Sequence, residues 1–134
     1  MFLSGIFIGS HIVVMGLPGE TPEDIRKSIE LIQNLSEYKS LIIPLYFVPI
    51  GNLKDNNRFF RTKDMRVEHW QLLAACIRHS IKWSYVFAGE NLTATKMNWW
   101  KKAAIKQVIR IIDRRLQPYL KMMDEGINPI TQNT

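Results

Sequence analysis

Apolar and polar positions divide the chain into two short continuous apolar runs and three stretches of helical periodicity. The first run, Ile6 to Met15 (IFIGSHIVVM), is mostly β-branched or large and apolar, which suits a strand buried on both faces of a parallel sheet. Gly16 and Gly19 then bracket a tight turn, in which Pro18 fixes its own φ and excludes a continuing ladder. Thr21-Pro22-Glu23-Asp24 carries the signals of a helix start: an N-cap threonine, proline at the first helical position, and an acid completing a capping-box-like pattern. The predicted helix runs from Pro22 to Leu35, with Ile25, Ile29, Ile32 and Leu35 on one stripe for packing on a sheet. After a polar connection, Ser36 to Ser40, the second apolar run (Leu41 to Ile50) comes at the spacing of a βαβ crossover. Pro44 inside that run removes a ladder donor, so either the strand starts after it or it lies at a sheet edge.

Beyond these elements, Gly51 to Arg61 reads as a loop, with Phe59 and Phe60 expected to fold back onto apolar surface. Asp64 is the expected cap of a helix from Met65 to Tyr85, whose apolar face is Val67, Trp70, Ala74, Ile77 and Ile81. A break is expected over Ala88 to Ala94, pivoting on Gly89, and then a last helix from Thr95 to Leu116 that Pro118 ends or kinks. Gly126 to Thr134 reads as a frayed tail. The organisation is therefore α/β: residues 1–60 with two parallel strands and one helix, residues 61–125 helical, and residues 126–134 a flexible tail.

Composition changes this picture in two ways. A hydrophobic content of 46% and a charged content of 22% are ordinary for a soluble domain, but the single cysteine, Cys76, excludes an internal disulfide framework and suits a reducing, cytoplasmic compartment. The apolar start from Phe2 to Leu17 contains His11, lacks a positively charged leader and is short for a membrane span, so a buried strand is the reading and no transmembrane span is expected.

The string IVVMGLPGETPEDIRKSIELI resembles the fifth strand and following helix of radical S-adenosylmethionine enzymes, closest to the branch with the methylthiotransferases and the cobalamin-binding members. The resemblance continues at Leu41-Ile42-Ile43-Pro44-Leu45-Tyr46-Phe47-Val48-Pro49-Ile50-Gly51, like a sixth strand, and covers about residues 4 to 52. It implies the last β/α units of a partial (β/α) barrel followed by a helical C-terminal extension. It also implies that S-adenosylmethionine and a four-iron iron–sulfur cluster act in the intact protein, with cobalamin left open. By the same resemblance Val14 and Gly16, and on the sixth strand Val48 and Pro49, are the residues expected to contact adenine. Two departures stand out: Ile12 occupies the place of the family's first motif glycine, and Glu20 follows Gly16 by four residues where the family has three. The family's CxxxCxxC loop is absent, and one thiolate cannot replace three cluster ligands. The chain alone is thus expected to be inactive, and to be a fragment, half of a split gene or a trimmed piece. Its expected partner is the missing N-terminal half or a homo-oligomer mate.

The remaining polar residues are read more plainly. Glu20 is expected as a solvated carboxylate near a helix N-terminus, and His11 as a half-buried imidazole satisfied by a hydrogen bond. His69 and Cys76 are seven residues apart on one helix, about 10.5 Å along its axis, too far to share a metal. Cys76 and His79 make at most half a site, so the reading is a buried thiol with two partly exposed imidazoles. Charge is uneven: from Thr95 to Lys121 there are eight cations against Asp113 alone, and Lys102, Lys106, Arg110 and Arg114 form a ridge at steps of four. Like charges so spaced repel by roughly a few tenths of a kcal/mol, so nothing within the helix favours the ridge. It is read as a solvated face, or as the surface of a stand-alone basic α/β module that binds RNA or other phosphates. With Trp99 and Trp100 beside Lys101, a helix lying on a membrane surface ranks behind both.

Overall fold

The computed structural model of the chain describes residues 9–50 and 59–131. The fold is mixed α/β and mostly helical, in the order β1 (Gly9–Met15), α1 (Pro22–Asn34), β2 (Ser40–Tyr46), α2 (Val67–Ala94) and α3 (Trp99–Asp124). Single 3-10 turns follow α1 at Leu35–Glu37 and precede α2 at Thr62–Asp64. The expected strand residues Ile6 to Ile8 and most of the expected loop, residues 51–58, lie outside the described residues.

β1 and β2 pair in parallel, with Ile12 opposite Ile43 and Val14 opposite Leu45, and α1 is the crossover between them. α1 starts as its sequence dictates. The Thr21 hydroxyl accepts the Asp24 N–H at 3.2 Å while the Asp24 carboxylate accepts the Thr21 N–H at 2.9 Å, closing a reciprocal capping box. Its stripe delivers Ile25 and Ile32 into a core with Met15, Ile42, Leu72 and Cys76. Residues of α2 therefore complete the same core as the βαβ unit.

Among the described residues, only one face of the sheet is covered. Met15 and Ile42 lie beneath α1 and α2, whereas Ile12 (62% exposed), Val14, Ile43 and Leu45 on the other face are open to solvent among the described residues. The expected burial on both faces is thus met on one face by the described residues. A continuous apolar run shows that both faces could be covered, not that one chain covers both.

The strand edges differ. Ser80 of α2 accepts the Ile42 N–H at 3.1 Å and donates to the Ile42 carbonyl at 3.0 Å, so a side chain takes the place of a third strand beside β2. Ile42 therefore points its backbone groups away from β1. Pro44, two residues on, does the same, and its missing donor falls on the outer edge where no ladder bond is lost.

The helical half departs from its expected boundaries. Asp64 does not cap α2; its carboxylate accepts the Arg61 N–H at 3.0 Å in the preceding turn, and α2 begins at Val67. The break at Gly89 is absent, and α2 runs on to Ala94. One helical glycine costs about 1 kcal/mol, and Phe87 and Leu92, buried on either side, offset that. α3 starts at Trp99 and passes through Pro118 to Asp124. Proline's penalty of about 3 kcal/mol is met where the helix is best held, with Leu120 and Met123 buried against Trp70 and Ala74. α3 then ends in a left-handed glycine cap: Gly126 has φ of 75°, its N–H donates to the Met123 carbonyl, and the Ile127 N–H donates to that of Met122. The start of the expected tail is folded, since Pro129 is buried and the Ile130 N–H donates to the Asn128 side chain.

α2 is apolar on two faces. Trp70 and Ala74 are buried, and Ile77 and Ile81 pack beside them, in a second cluster shared with α3. Leu72, Ala75 and Cys76 face the sheet and α1. A helix with two buried faces is a central helix, and α2 fills that place here.

Candidate functional site

The turn after β1 sits at the C-terminal end of the parallel strands, the edge at which β/α folds hold ligands. Gly16 takes φ of 81° there, and a Cβ on it would lie 2.1 Å from Cγ of Phe60. The Phe60 ring closes over Gly16, edge-on to Tyr46 at 5.6 Å between centroids and 4.9 Å from the ring of His69. The Glu20 N–H donates to the Leu17 carbonyl at 3.0 Å, which folds the turn back on itself.

That fold-back brings the Glu20 carboxylate beneath the turn. Its Oε2 accepts the Gly16 N–H at 2.9 Å and lies 2.8 Å from Nε2 of His69. Nδ1 of His69 accepts the Arg66 N–H at 3.0 Å, so the imidazole proton resides on Nε2 and is donated to Glu20. The two side chains are 11% and 5% exposed. Glu20, expected in solvent, is thus a largely buried tie between the β1–α1 turn and the start of α2, and His69, expected partly exposed, is its buried donor. Forty-nine residues separate the pair, so no local spacing announces it. Beside this tie opens a polar cleft of about 270 Å³, lined by Leu17, Gly19, Glu20, Asp64, Arg66 and His69 among others.

The start of α1 offers little to an anion. The amides of Thr21 and Asp24 are spent on the capping box, Pro22 has none, and Glu23 and Asp24 place two carboxylates in the first turn. The hydroxyl and amide of Thr21 hold the Asp24 carboxyl below its ordinary range.

The four residues expected at adenine differ in their exposure. Val14 and Val48 are 40% and 52% exposed, Val14 on the open sheet face. Pro49 is fully buried and Gly16 lies under Phe60. Gly16 also lines the polar cleft beside the Glu20–His69 tie. The iron–sulfur cluster does not fit this chain, whose single cysteine is buried in the core with its thiol pushed up to about 11 by desolvation. No group of three metal-ligating side chains occurs among the described residues.

His79, expected partly exposed, is buried. Its Nε2 lies 2.9 Å from the Ser40 hydroxyl, which donates to the Tyr38 carbonyl at 3.2 Å, so the imidazole is the donor to serine. Burial lowers its pKa, with Lys82 and His11 adding repulsion. His11 itself is exposed, against its half-buried expectation.

On α3, Lys106, Arg110 and Arg114 are exposed and Lys102 is half-buried. None of the four forms an ion pair with a described residue. Asp113, the acid in their midst, already accepts the Tyr85 hydroxyl at 2.9 Å and the Gln117 amide at 2.6 Å. Lys101 stands 5.3 Å above the ring of Trp100. Comparison of the chain with protein-family models, with curated proteins and with solved structures finds no match.

Proposed function

We propose that this chain supplies two adjacent β/α units of a radical S-adenosylmethionine partial barrel, in which Val14 and Val48 lie against the adenine of the cofactor. The observation that carries this reading is the bare apolar face of the sheet. Parallel sheets are stable with both faces covered, and Ile12, Val14, Ile43 and Leu45 have no cover among the described residues. In a barrel that face points inward and meets side chains from the other strands. The resemblance of the Gly16-Leu17-Pro18-Gly19-Glu20 turn and its flanking strand to the family supports the same placement.

The chain's part in such a protein is positional. The bound cofactors would supply the radical chemistry, and the three cluster thiolates would come from a segment other than this one. What these residues do is offer an apolar wall at Val14 and Val48 and hold the strand ends rigid through the Glu20–His69 tie.

The test is reconstitution with a CxxxCxxC-bearing barrel segment encoded beside or in frame with this one. The combined protein is expected to bind S-adenosylmethionine in calorimetry, and Val14→Asp or Val48→Asp to weaken that binding at least about tenfold, the cost of burying one uncompensated charge against the purine. Failure of any such segment to associate, or equal affinity in both variants, would overturn the reading.

A further inference from the structure

α3 is a long helix with little cover. No residue from Trp99 to Tyr119 is buried, although the stretch contains Trp99, Trp100, Ile105, Val108, Ile111 and Ile112, between 38% and 80% exposed. At about 100° per residue, five of these, all but Trp99, fall within an arc of roughly 140°. α2 packs on the neighbouring arc through Leu116, Leu120 and Met123. The ridge from Lys102 to Arg114 takes most of the remaining circumference, and its cations have no ion-pair partners among the described residues.

We propose that this face of α3 docks on an anionic lipid bilayer, with the helix lying in the plane of the interface. An apolar arc, a cationic remainder and a tryptophan pair at one end are what such a helix needs. The stripe from Trp100 to Ile112 is about 18 Å long, and no described helix is long and apolar enough to cross a membrane, so the helix lies on the surface and does not span it. Lys101 and Arg115 share the angular range of the apolar arc about 21 Å apart, Lys101 in the first turn of the stripe and Arg115 one turn past its end, where their stems rest on acyl chains and their charges reach phosphates. The complementary charge is explicit: eight cations against one acid from Thr95 to Lys121. An RNA strand would use the ridge alone and leave Val108, Ile111 and Ile112 in water, whereas a bilayer uses both faces.

The full chain is mixed with vesicles of phosphatidylcholine containing about one-third phosphatidylserine, and with phosphatidylcholine vesicles as the neutral comparison. Co-sedimentation and a blue shift of tryptophan emission are expected with the anionic vesicles only, weakening as salt rises. Lys106→Gln and Arg110→Gln should each cost about fivefold in partitioning. Val108→Asp with Ile111→Asp should cost at least about tenfold and leave the thermal midpoint unchanged, since both sites are exposed. Absence of binding to anionic vesicles overturns the proposal. So does undiminished binding by the Val108→Asp/Ile111→Asp variant, which with equal affinity for polyuridylate would make the ridge a polyanion surface. A dimer that shields Trp99 and Trp100 and excludes lipid overturns it as well.

Discussion

Gly16→Ala is the substitution whose cost can be worked most fully from the geometry. Two penalties add. An alanine at φ of 81° carries the left-handed strain of a residue with a Cβ, about 1–2 kcal/mol. The new Cβ would also sit 2.1 Å from Cγ of Phe60, so the ring must leave its place and give up its contacts with Tyr46 and His69, about another 2 kcal/mol. The expected destabilisation is about 3–4 kcal/mol, a large share of the stability of a domain this size. Gly19 provides the internal comparison: its φ is 80°, but a Cβ there meets nothing within 4 Å, so Gly19→Ala should cost the strain alone, about 1–2 kcal/mol. Urea unfolding followed by circular dichroism measures both, and a double-mutant cycle with Phe60→Ala isolates the ring. In that background Gly16→Ala should fall to the cost of Gly19→Ala. If the two glycines cost the same in the parent chain, or if removing Phe60 leaves the cost of Gly16→Ala unchanged, the close approach of ring and turn is refuted.

Glu20→Gln should destabilise by about 2–3 kcal/mol in the same assay, because the carboxylate accepts a backbone amide and a buried imidazole N–H that an amide serves less well. His79 should make the fold sensitive to mild acid. Its folded pKa lies below the ordinary 6.5, so below that pH the unfolded chain takes up the proton first, and the thermal midpoint should fall from pH 7.5 to 5.5 and fall less in His79→Gln. Cys76 should resist alkylation in the folded chain, since a thiol near 11 has roughly one thiolate in a thousand at pH 8, and should react at once when urea unfolds it.

The βαβ unit was legible because its signals are local. Thr21 and Asp24 are three residues apart and form the capping box that their spacing predicts, and the Ile25–Ile32 stripe reaches the core. The helices were legible in kind but not in extent. Gly89 and Pro118 are local penalties of about 1 and 3 kcal/mol, and packing from other elements, such as Leu120 against Trp70, outweighed them. The second buried face of α2 was harder to read because His69 and His79, which periodicity does not score as apolar, alternate on it with Leu72, Cys76 and Trp83. The Glu20–His69 tie was invisible for a different reason: its partners meet only after the whole βαβ unit has closed. Neither residue advertises burial alone.

The Ser80 clasp on Ile42 makes the sheet one-sided in its capacity to grow. A hydroxyl that both donates and accepts fills the hydrogen-bonding positions an incoming strand would need beside β2, and Pro44 withholds a donor two residues on. No described residue does the same for the outer edge of β1. Among the described residues, therefore, the edge left for strand addition, whether by a companion segment completing a larger sheet or by a stray chain starting an aggregate, is that of β1.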